Sequence, residues 1–140
     1  MGIEHLNGTE WAGNGELWLD PTGYEARRHP CTAVVEGNTL RYRWTVDDAW
    51  QEGVFHVEPD GSARWRDSWH QKDEVRCRPE PGGMALVNVH FTWTPPTGPD
   101  WGWRIGVCER PSGELVLQMT NVTPWGEEAR AVRMIFDRKG

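Results

Sequence analysis

A carboxylate set between two tryptophans is the first place where this chain could do chemistry. In Ala63-Arg-Trp-Arg-Asp-Ser-Trp-His70, every second side chain is small, aromatic or acidic: Ala63, Trp65, Asp67 and Trp69. That alternation predicts a β-strand over 63–70 with Asp67 on its buried face. An unpaired buried charge costs several kcal/mol in order of magnitude, so Asp67 needs a partner or a task. The Tyr42 hydroxyl, an indole N–H or an Arg would serve as the partner. A carboxyl raised in pKa by aromatic neighbours would suit a general acid, with Tyr42 as the second proton-transfer group.

Asp67, Ser68 and His70 also supply the three residue types of a hydrolase triad. A continuous strand would put Ser68 and His70 on one face and Asp67 on the other, which argues against it. The histidines at 5, 29, 56, 70 and 90 show no ligand spacing within a strand. No metal site is expected, and scattered surface histidines are the plainer reading. Gly13 and Gly15 stand two apart with no helix pattern after them, which opposes a phosphate-binding loop. They predict instead a bend, or the close approach of a neighbouring strand or ligand.

Period-two alternation recurs along the chain. Strands are expected over 9–20, 31–36, 40–46, 51–58, 63–70, 84–94, 101–107 and 115–121, with a short edge piece at 75–78. A last strand carries Val132, Met134 and Phe136, with Arg130 on the same face. Trp11, Gly13, Gly15, Leu17 and Leu19 share the inner face of the first, and residues 24–30 read as irregular or a single turn. For 84–94 the parity is open between a Val87, Val89, Phe91, Trp93 face and a Met84, Leu86, Asn88, His90 face. Sixteen Gly and ten Pro supply the turns, including Asp20-Pro-Thr-Gly and Pro79-Glu-Pro-Gly-Gly. About ten short strands in meander order, without a crossover helix, predict an all-β fold. A single antiparallel up-and-down β-barrel over 1–140 removes exposed edges best. Only 37% of residues are hydrophobic, but ten of them are Trp. At about 200 Å² apiece, these supply a core from few residues.

On this register Tyr42, Trp44, Trp65, Asp67, Trp69, Trp101, Trp103, Met119 and Asn121 line one interior and form the candidate ligand-binding set. Aromatic walls with a few convergent polar groups are what small-molecule sites look like. Indoles donate and never accept, so such a lining favours a flat or aliphatic ligand carrying an acceptor. Arg104 or Arg130 at the mouth would grip a carboxylate, although parity puts Arg104 outside. The loop from Trp93 to Trp101, with Pro95, Pro96 and Pro99, is expected to border the open end. The bland alternative is a barrel filled by its own side chains, with Asp67 bracing the wall.

A net charge of −6 argues against nucleic acid as a partner. No apolar run approaches membrane-spanning length, and Met1-Gly-Ile-Glu-His-Leu-Asn has no signal-peptide pattern. Cys31, Cys77 and Cys108 are odd in number and far apart, so a cytoplasmic location without a disulfide framework is expected.

Trp11-Ala-Gly-Asn-Gly, followed by a ten-stranded meander of this length, resembles the calycin group of lipocalins, fatty-acid-binding proteins and nitrobindin-like barrels. Trp44, Asp67-Ser-Trp-His, Trp101-Gly-Trp-Arg and Met119-Thr-Asn look like a bacterial branch of that group. Two departures matter. Pro21 to Pro30 is too short for the helical lid of fatty-acid-binding proteins. The last histidine is His90, whereas nitrobindins carry a haem-binding histidine near the C-terminus. The resemblance therefore implies a cavity, with no haem or other cofactor, and fixes no activity. The expected function is binding of a small, mostly apolar or amphipathic ligand, by a monomer or a homodimer. A cofactor-free acid–base enzyme and a plugged structural or partner-binding barrel are the alternatives.

Overall fold

Ten antiparallel strands follow one another around a closed ring in chain order, and the last returns to pair with the first. In the computed structural model, which describes residues 2–21, 23–80 and 85–140, the strands are β1 (Glu10–Trp18), β2 (Ala26–Glu36), β3 (Thr39–Val46), β4 (Ala49–Val57), β5 (Ala63–Asp67), β6 (Gln71–Pro79), β7 (Val87–Trp93), β8 (Trp101–Glu109), β9 (Leu115–Val122) and β10 (Glu128–Arg138). The fold is an all-β up-and-down barrel. Its only helical element among the described residues is a 3₁₀ turn at Glu4–Leu6.

Meander order sorts the connections between two ends. The links β1–β2, β3–β4, β5–β6, β7–β8 and β9–β10 lie at one end, here called the upper end. At the other, Ile3 and Leu6 are buried and stop the barrel. The upper β3–β4 link has only two residues, Asp47 and Asp48, with φ of 49° and 63°. A two-residue hairpin needs the left-handed region at both positions, which Asp tolerates better than most residues.

Alternation fills the interior from every strand. On β3, Leu40, Tyr42, Trp44 and Val46 point inward, while Arg41 and Arg43 are exposed. Tyr42, Trp44, Phe55 and Trp65 have no accessible surface. Phe55 stacks on Trp65 at 5.9 Å between centroids, and Trp65 stacks on Trp103 at 6.0 Å. The middle of the barrel is therefore packed.

The structure corrects several sequence expectations. β5 stops at Asp67, and residues 68–70 form a turn instead of continuing the strand. β2 begins at Ala26, so most of the segment read as irregular is strand, and β6 runs over nine residues instead of four. Leu19 lies beyond the end of β1 and is 43% exposed. A bulge between Arg130 and Val132 inserts Ala131, and an extra residue reverses parity. Arg130 thus leaves the inner face. Its guanidinium lies 4.9 Å over the Trp18 ring and donates to the Gly23 carbonyl at 3.1 Å. On β7, Val87 and Val89 are the buried face. Thr22 of the first turn, residues 81–83 of the Pro-Gly-Gly turn and Met84 lie outside the described residues.

Cys31 and Cys77 are buried, and loss of solvent pushes both thiols up to about 12; Cys108 is exposed. In native protein at pH 8, a thiol reagent should therefore label Cys108 alone, and the other two should react only on unfolding. Rapid native labelling at Cys31 or Cys77 would contradict the packing.

Candidate functional site

Asp67 points into the barrel and is 1% exposed. The Tyr42 hydroxyl donates to its Oδ2 at 2.5 Å, and Trp65 Nε1 donates to the Tyr42 oxygen at 3.0 Å. The other oxygen, Oδ1, accepts from the backbone N–H of Trp69 at 2.8 Å and of His70 at 3.0 Å. The 68–70 turn is thus folded around the carboxylate, which takes the backbone N–H groups two and three residues further on, as Asp does in turns. That is why the strand ends where it does.

The Tyr42–Asp67 contact spans three strands. Tyr42 on β3 stands opposite Gly53 on β4, and Gly53 stands opposite Asp67 on β5. A Cβ on Gly53 would lie 1.9 Å from Tyr42 Cζ. The missing side chain lets the phenol cross β4. Gly15 does similar service between β2 and β10: its Cβ would lie 2.5 Å from His29 Cε1.

Burial is the largest single influence on Asp67 and pushes its carboxyl up. The His70 ring, the Tyr42 hydroxyl and the His70 backbone N–H together outweigh it and hold the group below its ordinary value. Burial first, and then the Asp67 charge, raise the Tyr42 phenol well above its ordinary value. Asp67 is therefore a carboxylate and Tyr42 a neutral donor at neutral pH, which corrects the expectation of Asp67 as a general acid.

Above this pair runs a row of four aromatic rings in consecutive contact. His29 lies 5.3 Å from Trp44, Trp44 lies 5.7 Å from His70, and His70 lies 5.3 Å from Trp103, all between centroids. Trp44 Nε1, Trp103 Nε1 and His29 Nε2 are buried and have no hydrogen-bond partner among the described residues. His70 Nδ1 is equally occluded and lies 3.3 Å from Asp67 Oδ1, an ion-pair distance without hydrogen-bond alignment. Burial lowers the pKa of His29, against a smaller opposing effect of the Pro30 carbonyl, so its ring is neutral. His29 also opens onto a hollow of about 410 Å³ at the upper end, bounded by Leu17, Arg27, Val46, Asp47 and Asp48 among others. Arg27 and Asp47 pair across its rim.

The nine sequence candidates fall into four groups. Tyr42, Trp65 and Met119 are fully enclosed and belong to the packed middle with Asp67. Trp44 and Trp103 belong to the ring row. Trp69 sits in the 68–70 turn, 45% exposed, with its ring edge-on to Trp44 at 5.9 Å. Asn121 accepts from Trp93 Nε1 at 3.2 Å, and Trp93, Trp101 and Trp125 continue as neighbouring rings along the upper rim. The Pro-rich 94–100 loop therefore lies at the same end as the ring row.

Neither arginine proposed for the mouth faces the interior: Arg104 pairs outside with Glu128, and Arg130 covers Trp18. The turn also overturns the geometry used against a triad, since His70 swings to Asp67. Ser68 still stands apart, donating to Gln51 Oε1 at 2.7 Å. Among the described residues, no group of three or more His, Cys, Asp or Glu is placed to hold a metal.

Sequence reading missed His29, His70, Gly15's service to His29, and Gly53. A lone Gly inside the alternating 51–58 run was the available signal, because such a Gly marks close approach. No protein-family model matches the chain, and no curated protein matches it.

Proposed function

We propose that this barrel, calycin-like in its closed ten-stranded meander, binds a small, mostly apolar and uncharged molecule bearing hydrogen-bond acceptors. The ligand sits at the upper end, against the row of His29, Trp44, His70 and Trp103. The observation that carries this reading is the pair of buried, unpartnered indole N–H donors of Trp44 and Trp103 on either side of His70; His29, whose Nδ1 donates to the Pro30 carbonyl, adds Nε2 as an acceptor. An unsatisfied buried donor costs about 1–3 kcal/mol, and one ligand carbonyl or ring nitrogen relieves that cost. Charge selects a neutral ligand: Asp67 supplies a buried carboxylate beside the row, and Arg27 at the hollow already has Asp47 as its partner.

The contact between His70 and Asp67 favours a second reading, in which His70 moves a proton on the bound molecule. Binding without turnover separates the first reading from the second.

The test keeps shape and deletes donors. Replacing Trp44 or Trp103 by benzothienylalanine preserves the bicyclic ring and removes its N–H. Each replacement should weaken binding of the molecule that co-purifies, identified by mass spectrometry, by about tenfold, as expected for one hydrogen bond of ~1.4 kcal/mol. The melting temperature should hold or rise, because an unpartnered donor has been removed. Unchanged affinity in both variants would overturn the proposal.

A further inference from the structure

The barrel wall is incomplete at one place. Among the described residues, β6 and β7 pair only at Arg78↔His90 and Pro79↔Val89, whereas β7 pairs with β8 along its whole length. Upward of Arg78 and His90 the two strands diverge and leave a cleft of about 460 Å³, lined by Val75, Arg76, Arg78, His90, Phe91 and Thr92. Its floor consists of the two inward-turned apolar side chains, Val75 and Phe91. Phe91 rests against Trp65 at 5.7 Å, so the floor is backed by the core.

The rim has the opposite character. Arg76 is paired with Asp60 at 3.1 Å and His90 with Glu80 at 3.0 Å. Arg78 has no carboxylate within ion-pair distance among the described residues, so the cleft keeps one uncompensated guanidinium. Above those two pairs no strand pairing among the described residues joins the facing edges of β6 and β7, so the edge backbone N–H groups there have no ladder partner across the cleft. An aromatic floor, a free guanidinium and edge donors together describe a site for a flat anion.

We infer that the β6–β7 cleft is a second binding site, separate from the ring row, for a small aryl carboxylate. The aromatic body lies on Phe91 and Val75, and the carboxylate takes a two-point contact from Arg78. The volume falls within the ordinary range for small-molecule sites, about 300–1,000 Å³. The two sites differ in the charge they accept: neutral at the upper end, anionic at the wall.

The experiment is an amide NMR titration of the intact chain with 1-naphthoate, run beside 1-naphthalenemethanol and acetate. Naphthoate should perturb the Val75, Arg78 and Phe91 amides saturably, and the neutral alcohol and acetate should each bind at least tenfold more weakly. Arg78→Ala, an exposed change, should weaken naphthoate about tenfold, and Arg78→Lys should restore only part of that loss. Naphthoate and the alcohol binding equally would overturn the inference, as would Arg78→Ala leaving naphthoate unaffected. An extended peptide that perturbs the same amides at a hundredfold lower concentration would also overturn it, by making the cleft a strand-docking site.

Discussion

Gly53→Ala should destabilise the barrel by about 3–5 kcal/mol, far more than a methyl group in a strand ordinarily costs. The new Cβ would lie 1.9 Å from Tyr42 Cζ and 2.1 Å from its hydroxyl oxygen, so the ring must move. Overpacking accounts for about 1–3 kcal/mol. Moving the phenol also takes the 2.5 Å donor from Asp67 and the acceptor from Trp65 Nε1, leaving polar groups unsatisfied at about 1–3 kcal/mol. Gly106→Ala is the control. Its Cβ would meet nothing closer than the Val87 carbonyl oxygen at 3.9 Å, and the change should cost less than about 1 kcal/mol. Urea melts of the two variants that agree within error would refute the role given to Gly53.

Tyr42→Phe should cost about 2–4 kcal/mol at neutral pH and alter the response to acid. The ring stays, but Asp67 Oδ2 and Trp65 Nε1 each lose a partner, at about 1–3 kcal/mol apiece. The pH effect follows from the direction of the Asp67 shift. Its folded pKa is depressed, so it contributes stability that is present above the unfolded carboxylate value. That contribution is lost as pH falls through the folded value. His29 is also held low by burial, so acidification from about pH 6.5 downward already favours the unfolded chain, which takes up the proton more readily. Removing the Tyr42 donor raises the folded Asp67 pKa toward its unfolded value, so the acid limb of the variant should start at the same pH as the parent's but be shallower and end at a higher pH. Stability-versus-pH curves that differ only by a constant offset would show that Tyr42 does not hold the carboxylate ionised.

The fold was legible in the sequence because alternation and turn residues agree along most of the chain. Tyr42 and Trp44, two apart between exposed arginines, state their strand and its inner face without help. The strand assignments that went astray share a cause, in that tertiary contacts overrode the local pattern. Ser68, Trp69 and His70 continue the alternation of β5, but the Asp67 carboxylate captures two backbone N–H groups and turns the chain there. Arg130 continues the alternation of β10, but a bulge shifts parity by one residue, and no residue type announces it. The same errors hid half of the ring row. His70 was assigned to the outer face of a strand that ends before it, and His29 lay in a segment read as irregular. Trp44 and Trp103 were found because they sit on clean strands.

The central claim is that the unpartnered ring nitrogens of the upper end are ligand contacts. It is tested most directly by the indole ¹H–¹⁵N resonances of the ten tryptophans, assigned by single Trp→Phe changes. They are followed while the tightest-binding neutral carbonyl compound from a fragment set is added. The Trp44 and Trp103 indole protons should move downfield with a common saturation midpoint and exchange more slowly with solvent. The Trp65 indole, which already donates to Tyr42, should move least. Shifts confined to the exposed Trp50, Trp69 and Trp125, or no saturable binding of any neutral compound, would contradict the account.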